Sequence, residues 1–147
     1  MLSGMYECTL DNRFRLAIPS KVREPFIEAG AAMSLWFDDS VVLAPRLDWP
    51  RIVEQTFGEM NVMNDDQRQL SRLLHAYTFD QDVLDKQGRV VVPEKLRRLA
   101  DVDTKVTVVG AGDYLEIWNP QRLESNFEAL RREGVSTLGN RIVERAA

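Results

Sequence analysis

The sequence is poor in the features that mark secreted, membrane-spanning or disulfide-bonded proteins. It contains one cysteine, Cys8, which excludes an internal disulfide and is interpreted as a small core residue. Residues 1–5 lack the basic and apolar regions of a signal peptide, and no run of about 18 apolar residues occurs that could cross a membrane. The chain is therefore predicted to be cytoplasmic.

Groups that could carry catalysis are also scarce. His75 is the single histidine, lies between two apolar residues of a predicted helix, and is interpreted as a surface or half-buried residue. There is no metal-ligand spacing, no phosphate-cradling glycine loop and no nucleophile-plus-base pattern. The glycines at 110 and 112 lie between two predicted strands and indicate a hairpin turn. The sequence thus predicts a protein without enzymatic activity, cofactor, metal or small-molecule substrate.

Positive charge is in deficit overall but is concentrated locally. The formal net charge is −4. Residues 85–98 carry five basic against two acidic side chains, whereas residues 38–66 carry seven acidic against two basic ones. A basic edge on an acidic body is compatible with phosphate binding, because the distribution of charge matters more than its sum.

What the sequence does have is an internal repeat with an offset of 74 residues. Residues 10–23 match residues 84–97 at six of 14 positions, and the same offset places Asp39 on Asp113 and Leu43 on Ile117. The identical pairs are Leu10 and Leu84, Asp11 and Asp85, Arg15 and Arg89, Pro19 and Pro93, Lys21 and Lys95, and Arg23 and Arg97. A shared offset over this length indicates two copies of one supersecondary unit.

Each copy is predicted to contain strands, a loop, a short helix, a hairpin and a longer helix. The hairpins are predicted at 33–44 and 105–118. In the short helix of the first copy Ser20 is the expected N-cap, and Pro25 fits the helix poorly. Later helices are predicted to begin at Asp48, at Asn64 or Asp65, and at Asn119.

The predicted fold class is α+β, a tandem pseudo-two-fold repeat of a β-rich unit with flanking helices. Neither small sheet would be stable alone, so the copies are expected to share a core. The predicted division is a first copy at 1–63, a packed helical connector at 64–78, a second copy at 79–133 and a polar tail at 134–147. For that tail the sequence leaves a short helix and a disordered segment open.

The repeated motif is L-D-x-x-x-R followed by three apolar residues and proline. Its aspartate and arginine can pair across a tight turn, and a bidentate pair would fix the guanidinium plane. A loop carrying Arg13 and Arg15, or Lys86 and Arg89, offers donors to phosphate or to guanine in a major groove. The alternative is a solvated turn whose ion pair contributes about 0–1 kcal/mol. Spacing alone leaves both interpretations open.

The paired motifs resemble the MraZ family, which belongs to the AbrB/SpoVT group of swapped-hairpin DNA-binding proteins. The resemblance rests on L-D-K-Q-G-R-V-V-V-P at 84–93 and on V-V-G at 108–110 followed by L-E-I-W at 115–118. It covers roughly residues 1–130, and two such motifs in tandem are far more specific than one.

The resemblance implies a ring of many subunits, each built from two halves. It implies a transcriptional regulator that binds double-stranded DNA at tandem G-rich boxes upstream of the operon for cell division and cell-wall synthesis, in the nucleoid. The family uses its first-copy loop on DNA, which corresponds here to Arg13 and Arg15. Lys86 and Arg89 match the same pattern, and for them DNA contact, folding and subunit contacts remain open. Asp11, Asp85 and Gly88 are expected to shape the loops.

One departure from the family pattern concerns the first loop. The family has glycine before the arginine, and Gly88 keeps it in the second copy, but Phe14 stands in the first. Glycine suits a positive φ, in which phenylalanine is strained. Either the first loop takes another shape, or Phe14 packs on a neighbour or against DNA. The departure keeps an alternative open, that of a ring-forming AbrB-like interaction or antitoxin-type protein with a different target.

Overall fold

The computed structural model describes residues 1–83 and 85–146, so the predicted pairing of Leu10 with Leu84 lies partly outside the described residues. The eight strands are β1 Met5–Thr9, β2 Arg15–Ala17, β3 Ala31–Leu35, β4 Val41–Pro45, β5 Phe79–Gln81, β6 Arg89–Val91, β7 Lys105–Gly110 and β8 Leu115–Trp118. The six α-helices are α1 Glu24–Ile27, α2 Trp49–Phe57, α3 Asp65–Ala76, α4 Glu94–Ala100, α5 Pro120–Glu133 and α6 Val135–Ala146. None of these helices is long and apolar enough to cross a membrane.

The two copies interleave their strands in a shared sheet. Six antiparallel strands lie in the order β1-β7-β8-β4-β3-β5, so the first strand of the first copy pairs with the hairpin of the second copy. The remaining strands, β2 and β6, form a two-stranded antiparallel ribbon to which each copy contributes one strand. The predicted α+β class with tandem β-rich units is confirmed.

The registers define the pseudo-two-fold relation. In the ribbon Arg15 pairs with Val91 and Ala17 with Arg89, and the 74-residue offset converts each pair into the other. At the centre of the sheet Val41 pairs with Ile117 and Leu43 with Leu115, which exchange in the same way. Both layers are therefore related by the same exchange of copies.

The core fills the space between the ribbon and the six-stranded sheet. Leu16 and Val90 face each other on the ribbon and are fully buried, as are Phe26 and Leu96 of the short helices. Burying each such side chain contributes roughly 1.5–3 kcal/mol relative to exposure. Because the ribbon forms one wall of this core, it is held firmly beneath the loops that precede each of its strands.

The opposite face of the sheet carries aromatic side chains beneath α2. The Trp36 ring lies 5.7 Å from Trp49 and 5.3 Å from Tyr114, centroid to centroid.

Glu116 lies on β8, where burial raises the pKa of its carboxyl. The indole N–H of Trp118 donates to this carboxyl at 2.9 Å and opposes that shift. Asp38 nearby raises the pKa further.

Several local predictions can be compared with the elements. Both hairpins are confirmed as β3–β4 and β7–β8. Asn64 and Asn119 cap α3 and α5, since each side chain accepts backbone N–H groups of the first turn. Asp48 precedes α2 as expected, but its side chain makes no capping bond.

The short helix of the first copy was predicted wrongly. A single helix capped by Ser20 is predicted, but a 3₁₀ turn over Ser20–Val22 and α1 replace it. Pro25 explains the break, because proline is tolerated in the first turn of a helix but not further in. Residues 135–146 form α6. The four-part division of the chain stays a prediction.

Candidate nucleic-acid interface

Loop 1, defined as residues 11–15, is organised by the carboxylate of Asp11. Its Oδ1 accepts the backbone N–H groups of Arg13 and Arg15, both at 2.9 Å, and its Oδ2 accepts the Nε of Arg15 at 2.6 Å. The N–H of Phe14 donates to the carbonyl of Asp11 at 2.9 Å and closes the turn. One aspartate thus fixes both the loop backbone and its arginine.

The motif predicts that Asp11 and Arg15 could form a bidentate pair, but the pair is not bidentate. Only Nε of the guanidinium meets the carboxylate, and neither terminal nitrogen makes a hydrogen bond within the described part of the chain. Donation from the backbone N–H of Arg15, more than from its side chain, lowers the pKa of Asp11, with partial burial opposing it. The carboxylate stays charged at neutral pH, and Arg15 keeps two donor groups for another partner.

Loop 2, defined as residues 85–89, repeats the turn with looser side-chain contacts. Asp85 accepts the N–H of Gln87 at 2.9 Å, and the N–H of Gly88 donates to the Asp85 carbonyl at 3.0 Å. The closest approach of Arg89 to Asp85 is 3.5 Å, between Nη1 and Oδ2, and its other terminal nitrogen contacts the amide oxygen of Gln87. The guanidinium of Arg89 is therefore engaged inside its own loop.

Phe14 occupies the same left-handed backbone conformation as Gly88. Its φ is 58°, against 66° for the glycine. A left-handed conformation costs an L-residue roughly 1–2 kcal/mol. The guanidinium carbon of Arg97 lies 3.5 Å from the centre of the Phe14 ring, a contact that contributes about 0.5–2 kcal/mol. The first loop thus keeps the left-handed turn of the second, and its ring is used for packing.

Gly88 faces the matching arginine of the other copy. A Cβ added at Gly88 would lie 2.8 Å from Cγ of Arg23, so a side chain there would displace it. Arg23 donates to the carbonyl of Ile18 at 2.8 Å, and Arg97 to that of Val92 at 3.0 Å. Each copy therefore covers the loop of the other with an arginine anchored on its own strand end.

These two arginines were missed as site residues by sequence reasoning. Arg23 and Arg97 were noted as an identical pair in the repeat, but no role was given to them. The available signal was that both copies have arginine at this position. Two identical residues that lie next to the repeated motif in both copies indicate that they make the same contact. Which residue they contact could not be deduced, since it belongs to the other copy.

The ribbon places the two loops on one surface. The N–H of Val92 donates to the carbonyl of Phe14 at 2.9 Å, and that of Ile18 to the carbonyl of Gly88 at 3.1 Å. The loops therefore extend opposite ends of the ribbon, about 13 Å apart at the rise of a β-strand. Alternation along the strands puts Arg15 and Arg89 on the face away from the core.

This surface is positively charged although the chain is acidic. Residues 11–28 and 85–98 together carry nine basic against five acidic side chains. Arg13, Lys21, Lys86 and Lys95 are exposed, and no ion pair within the described residues engages them. The predicted site residues thus lie together on one basic surface. The acidic segment 38–66 is not part of this surface. No cluster of histidine, cysteine and acidic residues suited to a metal occurs in residues 1–83 and 85–146.

A family profile described as "MraZ protein, putative antitoxin-like" matches the chain twice, over residues 1–73 and over residues 74–146. The chain belongs to the MraZ family. The two matches correspond to the two copies, so the resemblance predicted from the paired motifs is confirmed.

Full-length relatives in this family carry a functional name. The chain is 32% identical to the "Transcriptional regulator MraZ" of Roseiflexus castenholzii, over 88% of this chain and 89% of the relative. It is 33% identical to the protein of that name from Herpetosiphon aurantiacus, over 90% and 91%. With that of Leuconostoc mesenteroides it shares 34% over 95% and 93%. Transcriptional regulators are not a class of enzyme, which agrees with the sequence-based prediction.

Proposed function

We propose that this chain is a DNA-binding transcriptional regulator that recognises its target sequence with the arginines of loop 1. The observation that carries the proposal is the geometry of Arg15. Asp11 holds the guanidinium through Nε alone, on an exposed basic surface, and leaves the two terminal nitrogens available. Two parallel donors in a fixed plane match the O6 and N7 acceptors of guanine in the major groove.

The other basic residues have separate roles in this proposal. Arg13 and Lys86 are exposed on the loops and contact phosphate, which adds a salt-dependent term that is blind to sequence. Arg89 is already engaged with Asp85 and Gln87, so its contribution to base recognition is smaller than that of Arg15. Asp11, Asp85 and Gly88 shape the loops that display these groups.

One loop makes few contacts, so the proposal includes assembly of the chain into a ring. A ring presents several copies of loop 1, and tandem G-rich boxes on double-stranded DNA engage several of them at once. The gain comes from effective concentration and needs no new contact. The proposed operator lies upstream of the division and cell-wall gene cluster, which places the protein in the cytoplasm on the nucleoid.

The test is binding of the full-length protein to the DNA upstream of its own coding region. A second duplex of equal length with the G-rich boxes scrambled serves as the control. The expected result is a specific complex at about 50 mM and at about 200 mM salt, with the scrambled duplex losing affinity much faster. Equal affinity for both duplexes at both salt concentrations would contradict sequence-specific binding.

A second candidate function is that of an AbrB-like interaction or antitoxin-type protein. The observation that favours it is the antitoxin-like description of the family profile that matches both copies. This candidate predicts no specific complex with the upstream DNA, and a stable complex with the product of a neighbouring gene. The same binding assay, followed by purification of the protein with its genomic neighbours, separates the two candidates.

A further inference from the structure

The last helix, α6, is amphipathic and has little to pack against. Its apolar side chains Val135, Ile142 and Val143 are 88%, 69% and 68% exposed, and no residue of the helix is buried. Helical spacing places Val135, Leu138 and Ile142 on one face, with Arg145 at its border. Within the described chain α6 packs on α5, which leaves this apolar face open to a partner.

A groove between α2 and α3 has the complementary character. Its volume is about 630 Å³, and its apolar wall includes Trp49, Val53 and Leu74. Three carboxylates, Glu54, Glu59 and Asp80, line the same groove, and His75 is the one basic side chain among the lining residues. The groove therefore suits an apolar helix face bordered by arginines.

The repeat shows how α6 comes to be unpaired. The 74-residue offset places the helix pair α5–α6 where the first copy has α2–α3. In the first copy α3 buries Leu74 against the sheet, and the hydroxyls of Ser34 and Thr78 donate to the carbonyl of Leu74 at 3.4 and 2.5 Å. Within the described residues Leu138 of α6 is half-buried, while Val135, Ile142 and Val143 have no such seat.

The charges of α6 and of the groove are complementary, as are their apolar surfaces. Residues 135–146 carry two arginines against one glutamate, whereas the groove contributes three carboxylates. Arg141 already pairs with Glu133 at the end of α5. This ion pair holds α6 against α5 and away from the α2–α3 groove of the same copy. Arg145 makes no ion pair within residues 1–83 and 85–146.

We propose that α6 of one copy docks in the α2–α3 groove of a second copy. The face formed by Val135, Leu138 and Ile142 covers Val53 and Leu74, and Arg145 at its border approaches the carboxylates of the groove. Helix and groove are different surfaces, so the contact is head-to-tail and repeats from copy to copy until a ring closes. This inference rests on the ring in the proposed function and names the surfaces that build it.

The test is a charge swap in the full-length protein, read as molar mass by light scattering. R145E and E54R are each expected to reduce the mass from that of an assembly toward that of one copy. Combining the two changes in one chain is expected to restore assembly. R98E alters net charge equally at an exposed arginine outside α6 and is expected to leave the mass unchanged.

The outcomes separate this docking from the proposed function. Wild-type mass in both swap variants, a single-copy wild type, or a combined variant that fails to reassemble would each overturn the docking. Binding of the same samples at low salt to a duplex with one G-rich box is expected to be weak but specific, and it reports loop 1 without a second subunit. Loss of that binding in the wild type contradicts the function and leaves the docking to be judged by mass.

A cross-linking measurement covers variants that fold poorly. In a Cys8→Ser background, a chain with Val53→Cys is mixed with a chain with Ile142→Cys, and a short bis-maleimide is added. Cross-linked pairs containing one chain of each kind are expected. Pairs formed at the same yield when Ile142→Cys is replaced by Thr137→Cys, on the opposite face of α6, would contradict the docking.

Discussion

Loop 1 and loop 2 share a backbone but hold it with different side chains. Both place a left-handed residue before the arginine, Phe14 at φ 58° and Gly88 at φ 66°. In loop 2 glycine adopts that conformation without steric cost, and Arg23 lies directly on its backbone. In loop 1 the ring of Phe14 fills the equivalent space and supports Arg97.

The comparison shows that two chemical solutions can satisfy one backbone requirement. The strain at Phe14, roughly 1–2 kcal/mol, is similar in size to a cation–π contact of about 0.5–2 kcal/mol. The arginines also differ, since Nε of Arg15 binds Asp11 at 2.6 Å, whereas Arg89 stays 3.5 Å from Asp85. Loop 1 is therefore the better ordered display of an arginine, despite its unusual residue.

The largest expected difference between the loops is in DNA binding. Arg15→Ala should lower affinity for tandem G-rich boxes about 100-fold or more, because a base contact of about 1–3 kcal/mol is lost from every engaged loop. Arg89→Ala should lower it much less, since that guanidinium is engaged within its own loop. Fluorescence anisotropy with labelled operator measures both, and light scattering checks that assembly is intact. An Arg15→Ala protein with wild-type affinity and salt dependence would remove Arg15 from the interface.

The next largest effect is on stability, at the left-handed position itself. Gly88→Ala should destabilise the fold by about 1–3 kcal/mol, because it combines a positive φ with a Cβ 2.8 Å from Arg23. Phe14→Ala keeps the strain already present and loses the contacts of a half-buried ring with Arg97 and with the core, so it should cost about 1–2 kcal/mol. Urea unfolding at one fixed protein concentration gives both values. A larger loss at Phe14 than at Gly88 would reverse the comparison.

Removing the loop aspartates should produce a smaller effect, again unequal. Asp11→Ala leaves two backbone N–H groups and the Arg15 side chain without their acceptor. Asp85→Ala leaves one backbone N–H group without its acceptor and removes a longer ion pair. Operator affinity should fall several-fold for the first variant and less for the second. Amide hydrogen exchange at Arg13 and Arg15 should accelerate in Asp11→Ala. Unchanged exchange there would show that the carboxylate does not hold the loop.

The smallest expected effect is at the covering arginine. Arg97→Ala removes the cation above Phe14 and the hydrogen bond to the carbonyl of Val92, and should destabilise the protein by about 0.5–1 kcal/mol. Arg98→Ala, one residue along α4 and exposed to solvent, is the matched control and should change stability less. Thermal unfolding at fixed concentration compares the two variants. Equal shifts would mean that the contact with Phe14 contributes nothing measurable.

Local features of the fold could be predicted from the sequence because they depend on neighbouring residues. The repeat offset gave the pseudo-two-fold relation, the asparagines at 64 and 119 gave two helix starts, and the spacing of Asp11 and Arg15 gave their pair. Pro25 fits a longer helix poorly, and the single helix that the sequence predicts across it is the element that the structure divides.

Contacts between the copies could not be predicted in this way. The interleaved strand order and the stacking of Arg97 on Phe14 join residues that are far apart in the chain. Local rules alone do not decide what happens when phenylalanine stands at a glycine position. The loop can change its shape, or it can keep its shape while the ring packs on a neighbour. The packing partner decides between them, and that partner is visible only once the copies are assembled.

Loop 1 keeps the left-handed backbone of loop 2 with Phe14 in place, and the proposed function requires Arg15 to recognise DNA from that loop. The most direct test is the affinity of a Phe14→Gly variant for the tandem-box operator and for its scrambled control. If the backbone is already that of a glycine loop, affinity and preference should stay within about threefold of wild type, which is under 1 kcal/mol. A gain of tenfold or more, or a change of preferred sequence, would show that Phe14 alters the loop and would contradict the claim.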